Sequence, residues 1–142
     1  MWPATRGRAP LQLSARIGDR FPAALTAVGN ALLAPLSDVE IRQRFSGTTY
    51  FEARTPRSVR NVGELIEQLA RVRERGYAVD FGGVHPAVMG IAASVPEAGE
   101  SPRFAVGVSL IATRPSDEDL ARYGKAIQTV AAQIAPPARR IA

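Results

Sequence analysis

Between Asn61 and Asp80 the apolar residues change their period across a single glycine, and this switch narrows the possible folds more than any other feature of the chain. Leu65, Ile66, Leu69 and Val72 recur at helical spacing behind Asn61, which can N-cap, with Glu64 three residues on as in a capping box. Arg71, Arg73, Glu74 and Arg75 fall on the opposite face and in the last turn, where cations suit the helix dipole, so the arginines are expected to be mainly solvated. Gly76 is the left-handed residue that a helix end wants. From Tyr77 the period is two: Tyr77, Val79 and Phe81 alternate with Ala78 and Asp80, so the helix feeds directly into a strand that ends on a carboxylate. The Gly82-Gly83 bend and a second strand, Val88 to Val95, complete the stretch.

The rest of the chain supplies what such a unit packs against. Met1 to Pro10 has no periodicity and reads as a leader. Leu11 to Ile17 alternates as a strand with Leu11, Leu13, Ala15 and Ile17 inward, and Gly18-Asp19-Arg20 turns the chain. A helix from about Ala23 to Ala34, with Pro22 in its first turn, is built from small residues around Leu25, Val28, Leu32 and Leu33. Gly29 inside it points to close approach of a backbone or a ligand, since a mid-helix glycine costs about 1 kcal/mol. Ser37 and Glu40 form a capping box for a short helix with Ile41 and Phe45 inward, and Ser46 to Pro56 is a polar linker. Pro96 to Arg103 is a hairpin loop, Phe104 to Ala112 a further strand, and Ser116 caps a last helix with Leu120, Tyr123, Ile127, Val130 and Ile134 along its apolar stripe.

The two late strands carry the most specific signal. In the first, Val88, Gly90, Ala92 and Ser94 share one face; in the second, Ala105, Gly107, Ser109 and Ile111 do. Paired as a hairpin, these small faces either bound a concave space fit for a small ligand or receive the small-residue helix directly, which would fill it.

Several function classes drop out on composition. The 142 residues include no cysteine, which excludes disulfides, thiolate chemistry and cysteine-based zinc sites. No apolar run reaches the ~18 residues of a membrane span, and the N-terminus lacks the apolar core of a signal peptide, so a cytoplasmic location is the default. The formal charge of +5 comes from arginines scattered among acids, with one lysine, Lys125, whereas a nucleic-acid surface would cluster them. No nucleophile–base set, phosphate loop or metal-ligand spacing is present, so no enzyme, metal or cofactor is expected. The single histidine, His85, reads as a turn residue. Asp80 either caps the following turn or stands at the rim of a pocket.

Four motifs in register resemble the effector-binding domain of IclR-type bacterial transcriptional regulators: Thr26 to Ala34, Thr55-Pro56-Arg57-Ser58-Val59, Leu69 to Asp80, and Gly90-Ile91-Ala92-Ala93. The resemblance covers residues 8–135, between a leader (1–7) and a disordered tail (136–142). It implies an α+β, GAF-like twisted antiparallel sheet with flanking helices, N-terminally incomplete because the DNA-binding domain and the first helix and strands have no counterpart. It also implies a small organic or aromatic acid as effector, held by Ala27, Val28, Asp80, Val88, Gly90, Ser109 and Ile111. The partners implied are copies of the chain, as a dimer or tetramer, with DNA reached only through an upstream helix-turn-helix domain, and no membrane. An alternative is a truncated interaction protein that pairs with full-length regulators without binding ligand. Where the family usually has acidic residues this chain has Gly82-Gly83; where it has glycine, Ala87; where it often has Arg-Cys, Met89-Gly90; and where lysine is common, Asn30.

Overall fold

A computed structural model of the protein describes residues 16–111 and 114–136. The expected leader, nearly all of the strand from Leu11, Ala112 and the tail beyond Pro136 lie outside these residues; Ile17, which is described, sits 84% exposed in a turn rather than inward.

The period switch folds as its pattern dictates. Asn61 accepts the Glu64 N–H at 3.0 Å and opens α3 (Val62–Arg75, the third helix in chain order), while Glu64 reaches back to the Arg60 N–H at 2.8 Å. Leu65 and Leu69 are fully buried on its inner face. Gly76, at φ +80°, donates to the Val72 carbonyl and ends the helix, and β1 (Ala78–Asp80) starts two residues later. Phe81 leaves the strand and is 40% exposed.

β2 (Val88–Ser94) and β3 (Ala105–Ile111) complete a three-stranded antiparallel sheet in the order β1-β2-β3. The register pairs Gly90 with Ser109, Ala92 with Gly107 and Val88 with Ile111, so the two small faces do lie together. Across the β2–β3 loop Arg103 bonds the Glu97 carboxylate at 3.0 Å. On the small face pack α1 (Ala27–Leu33), α2 (Asp38–Arg44) and α3; α4 (Asp117–Gln133) covers the other. The first core joins Ala27, Ala31, Leu33, Ile41, Leu65 and Leu69 to Ala78 and Ala92; the second joins Val79, Met89 and Ile91 to Leu120, Ile127 and Ala131.

Three sequence expectations require correction. The first helix begins at Ala27 and not Ala23, because the Thr26 hydroxyl caps it by accepting the Gly29 N–H at 3.1 Å, which leaves Ala23 to Leu25 as a turn folded back on the helix. Gly29 exists for that turn: a side chain there would enter the Ala23 backbone. The buried Asn30 amide pins the same turn, donating to the Ala23, Ala24 and Thr26 carbonyls at 3.1, 3.1 and 2.8 Å while its oxygen accepts from Gln68 at 2.6 Å. Second, Arg73, though partly exposed, does more than face solvent. Its guanidinium ties the Ala34 carbonyl (2.7 Å), the Leu36 carbonyl (2.8 Å) and the Asp38 carboxylate (2.9 Å), joining α1 to α2. Third, α4 is rotated. Gly124 and Ala131 face the sheet with Leu120 and Ile127, while Tyr123, Val130 and Ile134 are 36, 42 and 56% exposed. The cause is Tyr77, whose ring lies directly on Gly124, and Gln128 fixes the helix's lean by donating to the Gly76 carbonyl at 3.0 Å.

Gly124→Val forces the Tyr77 ring off α4, an overpacking that costs about 1–3 kcal/mol. Urea denaturation should give a lower midpoint at unchanged slope.

Candidate functional site

The residues singled out by sequence meet at one end of the small face. Antiparallel pairing sets Asp80, Gly90 and Ser109 in one row across the three strands, with Val88 and Ile111 paired in the next row on that face. α1 stands over the row. A β-carbon on Gly90 would lie 3.1 Å from the Ala27 methyl, and one on Gly107 would lie 2.9 Å from Val28 Cγ1. Helix and sheet are therefore in direct contact over Gly90 and Gly107, the close-packed arrangement of the two foreseen. Ala27 is buried, Val28 is 40% exposed where it overhangs β3, and Ser109 is exposed on that strand.

Asp80 closes the row and caps the bend after it. Its Oδ1 accepts the Gly83 N–H at 2.5 Å. Burial pushes its carboxyl above the ordinary value of 3.8, opposed by the backbone N–H groups of Gly83 and Gly82. The bend is clamped from outside by the Thr55–Ser58 turn: the Thr55 and Ser58 hydroxyls donate to the Gly82 and Gly83 carbonyls, each at 2.6 Å and buried. Both glycines are required. Gly82 has φ +89°, and a β-carbon on Gly83 would sit 2.9 Å from the Asp80 carboxylate and 3.0 Å from the Leu25 carbonyl. His85 is a turn residue, its Nδ1 accepting the Ala87 N–H at 3.2 Å.

Two concavities open among the described residues near this site. One, of about 260 Å³, lies at the C-terminal ends of α1 and α3 between Ala34, Val72, Arg73, Tyr77 and Ser94. The other, of about 310 Å³, opens beside the bend and is lined by Arg57, Phe81, Pro86, Ala87, Val88, Met89 and Arg114. Only Val88 of the seven expected site residues lines it. Arg57 and Arg114 come from opposite sides: Arg57 Nη1 donates to the Phe81 carbonyl at 3.3 Å, and the Arg114 guanidinium lies 5.7 Å from the centre of the Phe81 ring. Arg57 was visible in sequence within the Thr55 motif, but nothing there distinguished its side chain from other surface arginines. Among the described residues no group of three or more histidines and carboxylates is placed to hold a metal ion.

The site lies in an α+β domain with a small-residue helix seated on a glycine-bearing antiparallel sheet, and comparison with known proteins identifies the class. The family model described as "Bacterial transcriptional regulator IclR C-terminal" matches residues 6–136. The chain is 31% identical over 113 residues to the HTH-type transcriptional regulator XynR of Escherichia coli K12, covering 80% of this chain and 44% of XynR. It is 32% identical over 129 residues to KdgR of the same organism, covering 87% and 47%. Among solved structures it is similar to the Agrobacterium tumefaciens repressor BlcR, with TM-score 0.77 and 36% identity over 83% of this chain and 48% of that one. It is similar also to the C-terminal domain of KdgR, with TM-score 0.73 and 30% identity over 80% and 69%. The chain belongs to the IclR family of bacterial transcriptional regulators, over their C-terminal, effector-binding domain, and spans about half the length of the curated relatives it matches. These relatives are regulators and not enzymes.

The raised Asp80 pKa fixes the sign of a pH effect. The ionised carboxylate penalises the folded state at neutral pH, and the penalty fades as pH falls through the raised value and vanishes below 3.8. Asp80→Asn keeps the oxygen that receives Gly83 and should match or exceed the parent's urea midpoint at pH 7, the difference narrowing towards pH ~4. Asp80→Ala strands the Gly83 N–H and should lose about 1–3 kcal/mol at every pH.

Proposed function

We propose that this chain is the ligand-sensing, oligomerising part of an IclR-type regulator and that it takes a small organic or aromatic acid at the end of the sheet where Asp80, Val88, Gly90, Ser109 and Ile111 meet Ala27 and Val28 of α1. The observation that carries the reading is that convergence: seven residues drawn from four elements lie on neighbouring rows of the small face or on the helix above it, and Val88 among them reaches an opening, although they are spread from Ala27 to Ile111 in sequence. The charge of the opening's walls favours an anion, since two guanidinium groups line it and none of its lining residues is acidic.

Binding acts by differential affinity. The acid favours one arrangement of copies over another, and in a full-length regulator that shift resets the spacing of DNA-binding heads in the cytoplasm. XynR and KdgR carry "HTH-type" in their names, which supports an upstream helix-turn-helix unit as the route to DNA in this family. The apolar surface beyond β3 supports association: Val108 is 44% exposed on β3, and Tyr123, Val130 and Ile134 are exposed on α4. No helix among the described residues is long and apolar enough to cross a membrane.

The same β3 edge, which carries no paired strand among the described residues, favours a second reading in which the chain pairs with intact regulators and binds no acid. Thermal denaturation with benzoate, pyruvate and other small acids separates the two. Sensing predicts that one acid stabilises the chain, by about 2.7 kcal/mol at a hundredfold excess over its Kd, and that Ser109→Val reduces the gain. No shift with any acid, together with a stable heteromer formed with a full-length relative, supports the second reading.

A further inference from the structure

The cleft beside the Gly82-Gly83 bend contains a pair of cations that is not among the expected site residues. Arg57 and Arg114 converge on it from segments far apart in sequence, over a floor made by Phe81, Pro86, Val88 and Met89. We propose that this cleft is an anion subsite in which Arg57 and Arg114 grip the carboxylate of an acid whose apolar body lies on that floor. The proposal rests on the sensing of an acid and assigns the acid's charged end to residues outside the small face.

Four observations carry it. The first is that neither cation is neutralised by an acid: the ion pairs among the described residues are Arg73–Asp38, Arg103–Glu97 and Arg122–Asp119, and neither Arg57 nor Arg114 takes part in one. Asp80, the acid of this bend, spends Oδ1 on the Gly83 N–H. The second is positional. Arg57 stands on a turn whose Thr55 and Ser58 hydroxyls are fastened to the Gly82 and Gly83 carbonyls, and one of its Nη groups is held by the Phe81 carbonyl. Its guanidinium is thus pre-placed, with further N–H donors left over for a ligand.

The third is that Arg114 follows β3 and lies over the Phe81 ring, a contact that orients a guanidinium without using its in-plane donors. Two planar forks beside an apolar floor match a carboxylate on an apolar or aromatic body better than a bare anion. The fourth is size. About 310 Å³ is at the lower limit of small-molecule pockets, which suits a compact monocarboxylate. Val88 belongs both to this floor and to the small face, so a ligand anchored by the arginines extends from the cleft towards the Asp80 row.

The test is a titration of the whole chain with benzoate, pyruvate, benzamide and inorganic phosphate, following the arginine Nε–Hε signals by NMR. The expected result is that benzoate or pyruvate moves the Arg57 and Arg114 signals while benzamide does not. Arg57→Gln and Arg114→Gln should each weaken that acid about tenfold or more, as for loss of a charge-assisted bond, and Arg114→Lys should recover part of the loss. Both arginines are surface-exposed, and unchanged far-ultraviolet circular dichroism verifies that the variants fold. If the acid binds with undiminished affinity in both glutamine variants and is lost in Ser109→Val, the cleft is overturned and sensing on the small face stands. A response to phosphate equal to that for benzoate reduces the cleft to general anion attraction and overturns the assignment of a carboxylate. No response to either acid in the parent chain overturns the cleft, and with no acid binding elsewhere it counts against sensing too.

Discussion

The contact between α1 and the glycines of the sheet governs how everything else is arranged. With hydrogen at Gly90 and Gly107, the Ala27 methyl and Val28 Cγ1 come down to the strand backbone, and a side chain at either glycine would push the helix away. Dispersion falls steeply with separation, so a helix lowered onto backbone gains contacts that a helix riding on leucines would not. The same closeness places the two concavities beside this contact and not over Gly90 or Gly107: one lies at the C-terminal end of α1, the other beside the bend after β1. A helix of seven residues is too short to hold such a position by its own hydrogen bonds. It is fixed at the start by Asn30, whose amide gathers three carbonyls of the preceding turn, and at the finish by Arg73, which takes the Ala34 and Leu36 carbonyls. Arg73 meets carbonyls at and beyond the C-terminal end of α1, and Asn30 meets carbonyls of the turn that leads into it, so both side chains satisfy backbone acceptors around the helix.

The bend after β1 is fixed by the same economy of small groups. Gly83 passes beneath the Leu25 carbonyl, so the turn before α1 and the bend after β1 hold each other in place. Thr55 and Ser58 close the bend from outside, and Asp80 closes it from within. A side chain is disfavoured at both positions in this geometry: the Gly82 backbone lies in the left-handed region, and a β-carbon on Gly83 would crowd the Leu25 carbonyl. The positive character of the neighbouring cleft comes from Arg57 and Arg114, which line it with no acidic residue beside them.

How much of this was legible in the sequence depends on whether the deciding contact was local. The α3 cap, its glycine end, the change of period and the β2–β3 pairing all follow from residues within a few positions of one another or from strand alternation, and they appear as read. The start of α1 was misplaced because alanine propensity continues back to Ala23, and only the Thr26 cap together with Asn30 marks the true end. Helix α4 carries two adjacent apolar stripes, and the Tyr77 ring, forty-odd residues away in sequence, selects the one containing Gly124. Arg73 resembles its neighbours Arg71 and Arg75 in sequence, and its partners on α1 and α2 appear only once the chain is folded. The seven expected ligand residues came from resemblance, and strand register explains why they cluster. The arginine cleft had no signal, because Arg114 reaches Phe81 only through the tertiary path of β3.

That path also bears on how a bound acid could be felt by another copy of the chain. Arg57 is tied to the bend, whereas Arg114 follows β3, the strand whose outer edge has no neighbour among the described residues and whose Val108 is exposed. A carboxylate shared by the two guanidinium groups would link the clamped bend to the segment that follows β3. Edge strands are held by one neighbour only and are the readiest part of a sheet to shift or to accept a partner. Under the proposed sensing of an acid, order gained in that segment would change the free energy of pairing along the edge of β3, which is the kind of differential interaction that coupling between ligand and assembly requires.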